Sequence, residues 1–243
     1  MHKGPTTADT FFHGRVIVKQ PAKGYRFAVD SPILADFLPR SDAPALDIGC
    51  GVGIVSLLAL YLDKFPVISG IEIQDTLYRM AVENAAANGM AERLRVMRGD
   101  FKAVFPQFKG VSTIFSNPPF FSPRQGRLSP DETIRLARVE IALTLKDLLR
   151  CAAEILAPEG GLYLIFPFAR QKELLDNAVA FGLVPQRLRS VIPVAGSRPD
   201  RFLIALGKKE ERLREMEPLV LFKAPGAYSA EMEQILSGRL RYE

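Results

Sequence analysis

From Ala45 onward, short unbroken apolar runs alternate with longer segments whose apolar residues recur every three or four positions. Runs of the first kind read as strands buried on both faces, and segments of the second kind as helices with one face on a core. "PALDIGC" is a strand entering a glycine turn, and "GIVSLLALYLDKF" is the helix after it. "VISGIEI" is the next strand, and the helix through "DTLYRMAVENAAANG" stops where Gly89 suits a C-terminal cap. "RLRVMRGD" and "VSTIFSN" are further strands, "LKDLLRCAAEILAPEGG" is a helix stopped by Pro158 and a Gly pair, and "LYLIFPF" is a buried strand. After a helix near residues 170 to 181, "RLRSVIPVA" and "RFLIALGKK" form a hairpin expected to close the sheet; "PLVLFKA" and a helix from about Ser229 complete the chain. Alternating strand and helix predicts an α/β fold of βα units: a mostly parallel, doubly wound sheet with a C-terminal antiparallel hairpin.

At 243 residues and 48% hydrophobic composition, the chain suits one large domain. It divides into an N-terminal segment (1–40), a core (41–209) and a C-terminal strand and helix (210–243). Cys50 and Cys151 lie far apart with no framework spacing, which fits a reduced, cytoplasmic protein. His2 and His13 are the only histidines, so neither a His-rich metal site nor a Ser-His-Asp triad can be assembled. No apolar run approaches the ~20 residues of a membrane span. The expectation is therefore no metal and no membrane.

A net charge of +5 and a pI near 9.3 favour a polyanionic partner only weakly. The distribution says more: Arg187, Arg189, Arg198 and Arg201 stand against a single acid, Asp200, in residues 186–202. A solvated basic surface and a nucleic-acid footprint both fit that pattern.

Candidate chemistry sits at strand ends. Gly49, Gly51 and Gly53 in "LDIGCGVGI" occupy a strand-to-helix turn, where free N–H groups of a helix N-terminus face a ligand. A dinucleotide fingerprint needs a glycine three positions after Gly51, and Ile54 stands there instead. Glu72 ends the next strand, where a carboxylate can accept both ribose hydroxyls of a nucleoside. Asp100 ends the third strand, placed to accept from an adenine amine, with Phe101 flanking the ring. At the end of the fourth strand stands "NPPF", Asn117 to Phe120. A residue before proline is pushed to extended geometry, and Pro118 itself precedes Pro119. Asn117 and the Pro118 carbonyl can then present two acceptors to one NH2 group while Phe120 stacks on the ring.

With the glycine turn and both acids, "NPPF" resembles the amino-methyltransferase motif of the Rossmann-like S-adenosylmethionine-dependent methyltransferases, over about residues 25 to 207. The resemblance implies S-adenosyl-L-methionine as cofactor and S-adenosyl-L-homocysteine as product. It also implies that Asp47, Gly49, Gly51, Gly53, Glu72, Ile73, Asp100, Phe101 and Asn117 hold the cofactor, and that Asn117, Pro118, Pro119 and Phe120 form the catalytic corner. "GYRFAVDSPILADF", "ARVEIALTLKDLLRCAAEIL" and "LVLFKAPGAYSAEMEQIL" are similar to parts of the bacterial adenine-N6 methyltransferases that modify valine tRNA beside the anticodon. That likeness implies that Arg26, Phe27 and Asp30 lie over the cofactor and that the partner is RNA, tRNA above all. The expected assembly is a monomer or weak homodimer. Two departures stand out: Phe120 replaces the family's Tyr, and residues 122–132 match poorly.

Four arginines are candidate RNA contacts: Arg124 and Arg127 after the motif, and Arg198 and Arg201 at the hairpin turn. Two alternatives stay open, methylation of a release-factor glutamine amide and a catalytically silent RNA-binding module. The first usually carries a separate N-terminal helical domain, and only a short segment precedes Asp47 here.

Overall fold

The computed structural model describes residues 6–22, 29–118 and 143–238. Arg26, Phe27, Pro119, Phe120, Arg124 and Arg127 lie outside the described residues.

The predicted βα alternation is present. Strand β3 (Ala45–Ile48) is followed by helix α2 (Ile54–Tyr61), β4 (Ile68–Glu72) by α3 (Asp75–Ala87), and β5 (Leu94–Arg98) by the single turn α4 (Phe101–Val104). The chain then returns to β6 (Val111–Ser116), and α5 (Leu145–Ile155) precedes β7 (Leu156–Pro167). All four residues of β3 are buried, as expected of a parallel strand covered on both faces. Helix α3 ends at Ala87, with Gly89 at φ 67° behind it. Helix α5 starts with a capping box in which Thr144 and Asp147 satisfy each other's backbone N–H groups.

The remaining elements are α6 (Gln171–Ala180), β8 (Val184–Val194), β9 (Arg201–Gly207), β10 (Arg214–Ala224), β11 (Ala227–Tyr228) and α7 (Ala230–Ser237). They extend a nine-stranded sheet of order β11-β10-β8-β9-β7-β6-β3-β4-β5. The β8–β9 hairpin does not close this sheet, contrary to expectation. Strand β10 pairs parallel to β8 on its far side, and β11 turns back on β10. Leu219 and Leu221 of β10 and Met232 and Ile235 of α7 are buried in one apolar cluster with the sheet, so the added strand and helix extend the core. Arg189, buried on β8, ties that addition down through Glu231 at 2.6 Å and the Glu217 carbonyl at 2.9 Å.

The N-terminal segment, to which the sequence pattern assigns no elements, forms a separate antiparallel hairpin of β1 (Thr6–Phe11) and β2 (Val16–Pro21). Val16 and Val18 point inward, and the outer backbone of β2 is matched by side chains. Asn88 exchanges hydrogen bonds with the Ile17 backbone at 2.7 and 2.9 Å, and Asn84 does the same with Lys19 at 2.8 and 2.9 Å. Four residues apart on α3, the two amides share one face and act as a strand of side chains for an otherwise open edge. Helix α1 (Asp30–Phe37) follows, packed on α2. Among the described residues no helix is long and apolar enough to cross a membrane.

Candidate active site

Strand order sets the site. The chain runs from β3 outward to β4 and β5, then crosses back to place β6 on the other side of β3. Such a reversal opens a crevice beyond the carboxyl ends of the strands. Here it opens between β3, which enters the glycine turn, and β6, which ends at Ser116 just before Asn117.

The turn itself depends on glycine. Gly49, Gly51 and Gly53 have φ of 68°, 58° and 83°, left-handed values that a side chain strains to adopt. A Cβ at Gly49 or Gly51 would meet no atom within 4 Å among the described residues, so the backbone lies open on the ligand side. Gly53 is the N-cap of α2 and supplies no side-chain acceptor to its first-turn N–H groups. Asn84, 1% exposed, fastens the turn from beneath by donating to the Val52 carbonyl at 2.9 Å.

Glu72 stands at the end of β4 beside this turn. Its Oε2 accepts from the Gly51 N–H at 2.9 Å and its Oε1 from the Gln74 N–H at 2.8 Å. A carboxylate has about four acceptor positions, so acceptor capacity not taken up by these backbone donors stays available for ligand hydroxyls. Burial raises the Glu72 pKa while the backbone donors oppose that shift. Next to it the Ile73 side chain is 42% exposed, an apolar surface on which a ring can lie. Asp100 caps α4 through Oδ1, which accepts from the Lys102 N–H at 2.9 Å. Its Oδ2 lies 4.0 Å from the Lys102 ammonium.

Three expected residues have other positions. Asp47 is 2% exposed and accepts from Ser56 Oγ at 2.6 Å, so it secures α2 to β3 from inside. Phe101 does not flank an open ring site: it is 4% exposed and packs against Phe105 in the core. Arg201 is not a free cation, because it pairs with Asp30 at 2.8 Å and with Asp200 at 2.7 Å. Two carboxylates offset its charge, and it serves to hold the start of α1 to the amino end of β9, beside the carboxyl end of β7. Arg198 is exposed in the β8–β9 turn and has no acidic partner among the described residues. Asn117 and Pro118 are half-buried at the crevice.

Sequence reading missed Ser56, Asn84 and Ser116. Each is a small polar residue on an otherwise apolar face, buried to 1% or less, and each fastens a site element. That mismatch of polarity with pattern is the signal that could have found them.

Buried Asp47 has a pH consequence. Burial, with the nearby Glu72 charge, raises its pKa from 3.8 to about 7, against the Ser56 hydrogen bond. Glu72 carries backbone donors that favour its ionised form, so the proton of this pair resides on Asp47. A carboxyl whose folded pKa lies above its unfolded value stabilises the fold most below about pH 4 and loses that contribution as pH rises through about 7. Asp47→Asn keeps an acceptor for Ser56 and removes the titration. Its melting temperature relative to wild type should rise between pH 5 and pH 8, and parallel profiles would refute the assignment.

A glycine turn fastened from below, a pinned carboxylate with lone pairs to spare and an asparagine across the crevice fit a nucleoside-bearing methyl donor. The class this defines is the Rossmann-like S-adenosylmethionine-dependent methyltransferases. Within it, the chain belongs to the methyltransferase small domain family, whose model matches residues 26–180. It is 32% identical over 216 residues to the tRNA1(Val) (adenine(37)-N6)-methyltransferase of Tolumonas auensis, covering 88% of this chain and 89% of that one. A protein of the same name from Porphyromonas gingivalis is 31% identical over 237 residues, 92% of this chain and 91% of that one. The fold is similar to the crystal structure of a predicted O-methyltransferase from Agrobacterium tumefaciens, with TM-score 0.65, 19% identity, and 88% and 98% of the two chains covered.

Proposed function

We propose that this chain transfers a methyl group from S-adenosylmethionine to the exocyclic N6 amine of an adenine in tRNA, the adenine at position 37 as in its named relatives. The observation that carries the reading is the position of Asn117 and Pro118 just after β6, which pairs with β3, the strand that enters the glycine turn. When bound, S-adenosylmethionine supplies an electrophilic methyl group on a cationic sulfur. Glu72 holds the ribose hydroxyls, Ile73 covers one face of the cofactor's adenine, and Asp100 Oδ2 accepts from its amine. Asn117 and the Pro118 carbonyl accept both hydrogens of the substrate amine, which draws the nitrogen toward pyramidal geometry and exposes its lone pair. The nitrogen is cationic once methylated and releases one of its two protons to solvent, so no protein base is required. Carboxylates at the ends of β4 and β5, in a chain of net charge +5, suit a cationic donor inside a polyanion-binding protein. A tRNA substrate places this work in the cytoplasm.

Labelled methyl transfer to total tRNA, ribosomal RNA and release factors, followed by nucleoside mass spectrometry, tests the reading. N6-methyladenosine in tRNA is the expected product. Label confined to ribosomal RNA would overturn the choice of tRNA, and label confined to protein would point to a glutamine amide.

The two arginines at the β8–β9 turn should separate. Arg198→Ala should weaken tRNA binding and reduce the slope of log K against log salt by roughly one. Arg201→Ala should leave that slope unchanged and lower the melting temperature, because it strands two carboxylates. Equal slopes for Arg198→Ala and wild type would remove Arg198 from the interface.

A further inference from the structure

We infer that Ser116 is a positioning residue for methyl transfer, whose hydroxyl sets the spacing between the glycine turn and Asn117. The inference rests on the function proposed above. Strands β3 and β6 pair Ala45 with Thr113, Leu46 with Ile114 and Asp47 with Phe115, and there the ladder ends. Continued further, that register sets Ile48 opposite Ser116 and Gly49 opposite Asn117. Beyond the ladder the glycine turn belongs to β4, since the N–H groups of Gly49 and Cys50 both donate to the Ile71 carbonyl, at 2.9 and 3.1 Å. The cofactor side of the crevice is therefore fastened to β4, and the acceptor side continues from β6.

Among the described residues one side-chain bond crosses between them. Ser116 Oγ donates to the Ile48 carbonyl at 2.6 Å, and Ser116 is fully buried at 0% exposure. Among the described residues, no other side-chain hydrogen bond joins residues 48–53 to residues 116–118. Water does not reach the bond, so it is not traded against solvent. The tie lies one residue from Gly49 and one residue from Asn117, the groups that must bring donor and amine together. In-line transfer needs reacting atoms about 3–3.5 Å apart, and a misplacement of about 1 Å can cost on the order of 100-fold in rate. A bond that spans the crevice at its root therefore acts on the transfer step more than on either binding step.

The test compares Ser116→Ala with Ile114→Val, which trims a buried methyl from the same strand without touching the tie. Single-turnover transfer to tRNA is measured at saturating cofactor, with calorimetry for S-adenosylhomocysteine and tRNA. Amide hydrogen exchange is read on the cofactor-free protein. Ser116→Ala should slow transfer about tenfold, a few tenths of an ångström on that scale. Both dissociation constants should stay within about twofold, and exchange should speed around residues 48–50 and 116–117 only. Ile114→Val should transfer at the wild-type rate with those amides unchanged. Full-rate transfer by Ser116→Ala, equal slowing by Ile114→Val, or a rate loss matched by lost affinity overturns the inference alone. A wild-type chain that methylates no RNA overturns the proposed function and this inference with it.

Discussion

Asn117→Ala should bind cofactor and tRNA within about twofold of wild type and slow methyl transfer by about 100- to 1000-fold, the range for removing one preorganised polar group that acts on the transition state. The split follows from what the side chain does. Before reaction the amine is planar, and its hydrogens can be satisfied by water as well as by Asn117. As the nitrogen attacks, its lone pair is needed for the new bond, and an acceptor fixed at the end of a buried strand favours that geometry without reorganising. Three of the four residues before Asn117 have 0% exposure, so its backbone is held by packing on both sheet faces. Single-turnover kinetics with saturating tRNA separate chemistry from binding. Transfer above about a tenth of the wild-type rate would make Asn117 a turn residue only.

Much of this arrangement was legible in the sequence because local rules and the fold agree. A parallel sheet forces unbroken apolar strands, so β3, β4, β6 and β7 stand out, and their common direction gathers Gly49, Glu72, Asp100 and Asn117 at one edge without further information. The rest depends on partners distant in sequence. The β1–β2 hairpin looks polar because its open edge is satisfied by Asn84 and Asn88, more than 60 positions later, at |i−j| of 65 and 71. Arg201 reads as a phosphate contact until Asp30 comes back across the sheet to neutralise it. Phe101 reads as a ring platform until the short helix it begins turns it into the core beside Phe105. In each case composition gave the residue's chemistry, and tertiary pairing decided whether that chemistry faces a ligand.

Glu72→Ala should lose S-adenosylhomocysteine affinity by about 3 kcal/mol, roughly 100-fold or more, as two charge-assisted hydrogen bonds disappear. The same substitution releases the Gly51 and Gln74 N–H groups that the carboxylate now holds. Those lost bonds destabilise the ligand-free fold, and removal of a buried carboxylate whose ionisation burial disfavours stabilises it. The two changes oppose each other, so the melting temperature without ligand should move little while the ligand-induced rise nearly vanishes. Glu72→Gln keeps one acceptor oxygen and should fall between, near a tenfold loss. Asp47 offers an internal check on the same variant. The Glu72 charge helps raise the Asp47 pKa to about 7, so Glu72→Ala should lower it, though burial, the larger cause, remains. Calorimetry at pH 6 and pH 8, with melting curves on the same samples, tests all three statements. Undiminished binding by Glu72→Ala would remove Glu72 from the cofactor site. A collapse of melting temperature together with affinity would make its clamp on Gly51 structural, with no hydroxyls in its grasp.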